Sequence, residues 1–119
     1  EDSVPYEFKE QARKNIREFL EADAFSQKVY IRVNAVETGL LLKDLEWMLH
    51  ENTDGFMFSK AADENDIRYF DQLLTQLEND FGFEQGKFKM CPLIETASAV
   101  LRAYEMGKAS DRNIALVFG

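Results

Sequence analysis

Phe88-Lys89-Met90-Cys91-Pro92-Leu93-Ile94-Glu95-Thr96 runs from a mostly apolar segment into one carboxylate, and a helical pattern follows at once. A short apolar run of this kind reads as a strand buried on both faces, the habit of parallel sheets. In α/β proteins, ligands bind beyond the carboxyl ends of the strands. Glu95 stands at such an end, where the apolar run is over and the helix has not begun, so it has no packing role. The competing reading is an acid in the first turn of a helix, favoured there by the macrodipole.

Working outward, Asp63 opens a helix to about Phe81, with Ile67, Phe70, Leu73/Leu74, Leu77 and Phe81 at helical spacing and Gly82 as its stop. Before it, Asp54-Gly55 leads into Phe56-Met57-Phe58, a second buried strand that ends in Ser59-Lys60. A helix over about residues 38–49 carries Leu41, Leu45 and Met48/Leu49. Val29-Tyr30-Ile31-Arg32-Val33-Asn34 alternates strictly, with Val29, Ile31 and Val33 on one face and Tyr30, Arg32 and Asn34 on the other. Residues 4–22 read as an amphipathic helix with Phe8, Ala12, Ile16 and Phe19/Leu20 inward, Ser3 as N-cap and Pro5 in the first turn. Downstream, residues 97–107 form a helix rich in small side chains, and residues 113–118 form the last strand.

The order is α-β-α-β-α-β-α-β, which means a parallel sheet with right-handed crossovers. An open doubly wound sheet and part of a (β/α)₈ barrel both satisfy it. The chain opens on an acidic pair directly before a helix, where a strand should have just ended, and it stops at the end of a strand. Four strands alone would also leave two exposed edges. The expectation is therefore one partial domain over residues 1–119, a contiguous piece, about half, of a TIM barrel of roughly 250 residues or more.

Composition narrows the partners. A net charge of −8 on 119 residues, with scattered Lys and Arg, argues against nucleic acid. No apolar run approaches the roughly 20 residues that span a bilayer. The first residues lack the basic and apolar regions of a signal peptide. A lone cysteine, Cys91, allows no internal disulfide and suits the cytoplasm or a mitochondrial matrix.

The polar residues expected on the carboxyl rim are Glu1/Asp2, Arg32/Asn34, Ser59/Lys60 and Glu95. No Ser-His-Asp set, glycine-rich phosphate loop or zinc ligand pattern is present. His50, at a helix end, reads as a surface or capping residue, and Cys91 as buried and inert. A hard cation fits better: Mg²⁺ takes one or two carboxylates, keeps waters and accepts substrate oxygens. Glu95 and the Glu1/Asp2 pair are its candidate ligands. Arg32 is the candidate clamp for a substrate carboxylate, because a planar guanidinium matches that group in a bidentate way. Structural ion pairs are the competing readings for Arg32 and Lys60.

These residues fall in a pattern that resembles the citrate lyase β-subunit family. Glu1-Asp2-Ser3-Val4-Pro5, with Lys9 and Ala12-Arg13, is similar to the acidic segment after that family's second barrel strand. Ile31-Arg32-Val33-Asn34 resembles its arginine strand, Gly55 to Lys60 the next, and Leu93-Ile94-Glu95-Thr96-Ala97 its metal strand. Ala109-Ser110-Asp111-Arg112 and Ala115-Leu116-Val117-Phe118-Gly119 resemble the strand beyond.

The resemblance covers the whole chain, places it in the region of barrel strands 3–6, and implies a Mg²⁺-dependent (or Mn²⁺-dependent) carbon–carbon lyase, usually trimeric. Its substrates would be citryl, malyl or citramalyl thioesters of CoA or an acyl carrier, with acyl-carrier and transferase subunits as possible companions. By position, Glu95 would be a metal ligand, Arg32 would bind the oxo-acid carboxylate, and Glu1 and Asp2 would support acid–base steps beside the metal waters. The family's second metal carboxylate, an Asp just past this last strand, and its first-strand Arg are not in this chain, so the piece alone is expected to be inactive. Ser59 stands where the family usually has Pro, and Ala99 and Arg102 where Gly and Asn are common.

A class II pyruvate aldolase is the nearest alternative enzyme, although those typically lack a segment like residues 1–5. A receiver-type signalling domain would need a strand before the acidic pair and a Lys-Pro pair after its last strand. A family member without chemistry, serving as a binding or regulatory subunit, is the alternative of another class.

Overall fold

The computed structural model describes residues 3–119. Four strands, β1 (Tyr30–Val33), β2 (Gly55–Phe58), β3 (Lys89–Ile94) and β4 (Val117–Phe118), form one parallel sheet in the order β1-β2-β3-β4. Helices α1 (Lys9–Ala22), α2 (Leu41–Met48), α3 (Glu64–Phe81), α4 (Ala97–Leu101) and α5 (Ala103–Lys108) precede or connect the strands. Ile31 and Val33 of β1, Phe56 and Phe58 of β2, and Met90 and Ile94 of β3 all enter a single core with buried residues of every helix. The helices therefore cover one face of the sheet. A doubly wound sheet has helices on both faces, so these four strands do not follow that pattern.

The best helix read from the sequence is the best built. The Asp63 carboxylate accepts the backbone N–H groups of Asn65 and Asp66 at the start of α3, and Gly82 closes it in the left-handed region at φ 76°. Ile67, Phe70, Leu74 and Leu77 are buried, and the Phe70 ring stacks on Phe58 of β2 at 4.0 Å. Phe81, expected inward, is exposed at the helix end.

Two other expectations shift. In α1 the buried face is Lys9, Arg13 and Leu20, while Phe8 and Phe19 are 59% and 51% exposed. No side chain caps that helix; a 3₁₀ turn over Tyr6–Phe8 leads into it instead. The final strand shortens to Val117–Phe118, because Asn113 makes only an isolated bridge to Met90 and its side chain turns back to the carbonyls of Met106 and Gly107.

A buried ion cluster fastens the start of that segment. Arg112 donates to both carboxylate oxygens of Glu78 at 2.6 and 2.7 Å, to Asp71 at 2.7 Å and to the carbonyl of Phe88 at 3.0 Å. Glu78, fully buried, also accepts the backbone N–H groups of Gly86 and Phe88. One residue of α3 thus fixes the approaches to both β3 and β4.

Gly55 marks a close approach between strands. A Cβ there would lie 2.3 Å from the Lys89 carbonyl oxygen and 2.9 Å from the Tyr30 ring. Backbone cannot yield as a flexible side chain can, so Gly55→Ala is expected to cost about 1–3 kcal/mol or more. A urea titration followed by far-UV circular dichroism measures it, and an unchanged midpoint would contradict the packing described.

Candidate active site

The functional rim is built by alternation. Arg32, Met57 and Cys91 are paired across β1, β2 and β3, on the face opposite the helices. Leu93 and then Glu95 continue that face past the end of β3. Arg32 is exposed, and Glu95 is exposed one residue beyond the strand. Register puts Glu95 four residues further along than Arg32 and two strands away, about 13 Å along the strand direction. The two side chains therefore bracket a space at the carboxyl end of the sheet.

Glu95 is not a first-turn acid. Thr96 is the N-cap of α4, its hydroxyl accepting the N–H of Ala99 at 3.1 Å, and the first turn of α4 contains no acid. The Glu95 carboxylate is held from the neighbouring strand instead: Oε2 accepts the backbone N–H of Lys60 at 2.8 Å. Lys60 takes the left-handed conformation at φ 55°, an unfavourable region for a side chain other than glycine, to turn the chain out of β2 there. Among the described residues, no hydrogen bond reaches Glu95 Oε1. The end of β4 rises beside it, since a Cβ on Gly119 would meet Glu95 Cγ at 3.8 Å.

Behind Arg32 lies a polar network that hydrophobic periodicity did not reveal. Asn34 donates its backbone N–H and side-chain amide to Asp44 Oδ2 at 2.9 and 2.6 Å. Arg13 donates to Asp44 Oδ1 at 2.7 Å, and Lys9 donates to Asn34 Oδ1 at 2.6 Å. The spacing Lys9, Arg13, Ile16, Leu20 on one helical face was the available signal, masked because two of the four are charged.

Glu1 and Asp2 lie outside the described residues. His50, half-buried, accepts the N–H of Asn52 at 3.1 Å in a turn, as expected of a capping residue. Cys91 is buried and unpaired with another cysteine, and burial pushes its thiol pKa up. Arg102 makes a bidentate pair with Glu64, which holds that carboxylate below its usual range. A surface cavity of about 720 Å³ is lined by Arg17, Trp47, Leu49, Phe81 and Phe83 at the opposite end of the sheet, where the helices finish. It has no part in this rim.

A sequence profile of the HpcH/HpaI aldolase/citrate lyase family matches residues 1–119. The chain belongs to that family. Among individual members, citrate lyase subunit beta of Leuconostoc mesenteroides subsp. cremoris is 30% identical over 117 residues, covering 98% of this chain and 39% of that protein. L-malyl-CoA/beta-methylmalyl-CoA lyase of Rhodobacter capsulatus is 29% identical over 123 residues, covering 100% of this chain and 38% of that protein. The family member described here thus spans about two-fifths of the length of these relatives. In three dimensions, the magnesium/glyoxylate complex of Haloferax volcanii malate synthase superposes with a TM-score of 0.84 at 24% identity, covering 100% of this chain and 40% of that one. RipC from Yersinia pestis gives 0.75 at 20% identity, covering 100% and 48%. These two likenesses speak to the fold: α/β with a parallel sheet. No helix among the described residues is long and apolar enough to cross a membrane.

Proposed function

We propose that this chain carries part of the active site of a Mg²⁺-dependent carbon–carbon lyase, which cleaves a hydroxyacyl thioester to an acetyl thioester and an oxo-acid. The observation that carries the reading is the situation of Glu95. It is an exposed carboxylate just past a parallel strand, outside the following helix, anchored through one oxygen and on the same sheet face as Arg32. The curated relatives named citrate lyase and malyl-CoA lyase support the reaction class. Consecutive strand order with helices on one face supports a contiguous portion of a (β/α)₈ barrel, whose active sites lie at this rim.

Glu95 suits a hard cation. It offers a carboxylate oxygen, while its other oxygen is fixed by an N–H, the kind of supporting bond that orients ligating carboxylates. No group of three or more metal-ligating side chains occurs among the described residues. Glu1, Asp2, an Asp past Gly119, substrate oxygens and water would complete the set, and on this reading the chain alone is inactive. Bound there, Mg²⁺ would supply Lewis acidity toward the substrate's oxygens.

The chain's own residues divide the remaining work. Arg32 grips the carboxylate that leaves with the oxo-acid, through two parallel N–H···O bonds. Glu1 and Asp2 manage protons as the carbon–carbon bond breaks and the thioester enolate is protonated. In the full-length protein, Arg32→Ala is expected to weaken oxo-acid binding by about 2–5 kcal/mol. Isothermal titration with the oxo-acid product checks this, and unchanged affinity would remove Arg32 from the site.

A further inference from the structure

The four residues behind Arg32 are buried to an extent that stability does not require. Lys9, Arg13, Asn34 and Asp44 are 8%, 3%, 2% and 0% exposed. Removing charges from water costs several kcal/mol per ion, and well-packed apolar replacements are often as stable or more so. What such a hydrogen-bonded cluster adds is a fixed geometry, because each bond constrains direction as well as distance, although Arg13 Nη2 is buried without a partner among the described residues.

Here the geometry joins three elements. Asp44, on α2, receives both donors of Asn34, the residue directly after β1 and two past Arg32. Through Oδ1 it also receives Arg13 of α1. Lys9, the first residue of α1, reaches the same Asn34. The exit of β1 and the start of the helix that follows Glu1-Asp2 are thus tied to one carboxylate.

We propose that Asp44 is a positioning residue for recognition of the oxo-acid carboxylate. It holds the end of β1, and with it Arg32, in the register that the substrate needs, and through Asn34 it ties the start of α1 at Lys9 to the same point. Asp44 touches no substrate and acts only through these neighbours. The inference rests on Arg32 being the carboxylate clamp.

The test runs the full-length enzyme in the condensing direction, with acetyl-CoA and whichever of glyoxylate, pyruvate or oxaloacetate the wild type accepts. Displacing a positioned group by about 1 Å can cost about 100-fold. Asp44→Asn is therefore expected to raise the oxo-acid KM about tenfold or more, with the acetyl-CoA KM unchanged. Combined with Arg32→Ala, it should add nothing further to the oxo-acid KM, since coupled residues are non-additive. A folded Asp44→Asn enzyme with wild-type oxo-acid KM, or with effects additive to Arg32→Ala, overturns the proposal. Should Asp44→Asn fail to fold, Lys9→Met leaves the Arg13–Asp44 pair in place and removes the Lys9 bond to Asn34. A severalfold rise in oxo-acid KM supports the proposal, and an unchanged KM overturns it. If Arg32→Ala itself leaves the oxo-acid KM unchanged, the clamp reading fails and takes this inference with it. If Arg32→Ala raises the KM and Asp44→Asn does not, the inference falls alone.

Discussion

Glu95→Gln in the full-length protein is expected to lower thioester cleavage by at least about 100-fold, more than the 10–100-fold typical of losing an outer-shell partner of a metal ligand. The substitution is chosen for what it preserves. A glutamine carbonyl can still accept the Lys60 N–H that now holds Oε2 at 2.8 Å, so the side chain keeps its place beside the end of β4. What disappears is the negative charge that a hard divalent cation seeks. Metal affinity and activity should therefore fall together while the urea midpoint stays near wild type, because Glu95 is exposed and outside the core. Calorimetric titration with Mn²⁺ beside the cleavage assay separates these quantities. Full activity in Glu95→Gln would show that this carboxylate is not a metal ligand.

Arg112→Ala is expected to produce a loss of another kind, about 3–5 kcal/mol of folding stability, because it strands the buried Glu78 carboxylate without its counter-charge. Arg112→Lys should recover only part, since an ammonium cannot reproduce two parallel bonds to Glu78 together with those to Asp71 and the Phe88 carbonyl. The pH dependence follows with a definite sign. Burial alone would raise the pKa values of Glu78 and Asp71. The Arg112 guanidinium with the N–H groups of Gly86 and Phe88 outweighs it at Glu78, and the Ser110 hydroxyl with the guanidinium outweighs it at Asp71, so both sit below the usual carboxylate range. Burial would likewise lower Arg112, and the two carboxylates hold it above its usual value.

Folded-state pKa values below the unfolded ones mean stability that is fully present above about pH 4–5 and lost as pH falls through the folded values. In Arg112→Ala the sign at Glu78 reverses. A buried, unpaired carboxyl has a raised pKa, so the folded variant binds the proton first and gains stability as the solution is acidified. The gap between variant and wild type should narrow from pH 7 to pH 4.5 in urea titrations. A gap that is constant across that range would mean that Glu78 is not the group left uncompensated.

The readable parts of the fold were those governed by local pattern. Helix α3 announced itself through spacing, an Asp cap and a Gly stop, and each performs that role. Strands β2 and β3 read as buried from their apolar content, and they are so except at Met57 and Lys89, which are half-buried. Glu95 was legible because its position depends only on where a strand ends. Long-range partners were not legible. Lys9 and Arg13 are inside because of acceptors 25 and 31 residues away, and periodicity scores a charged residue as surface whatever waits across the interface. The last strand looked six residues long from its apolar content, yet only two pair, since Asn113 spends its amide on the end of α5. At Lys60 the bond to Glu95 is made by the backbone N–H and not by the ammonium, which no side-chain pattern encodes.

The measurement that bears most directly on the central claim is oxo-acid release from citryl-, malyl- and citramalyl-CoA by the full-length protein. It is made in EDTA and again after Mg²⁺ is restored, with the same pair of assays on Glu95→Gln. Release of oxo-acid from at least one thioester, abolished by EDTA, recovered with Mg²⁺ and not recovered in Glu95→Gln, is the predicted result. Undiminished release in EDTA, or equal recovery in Glu95→Gln, would contradict it.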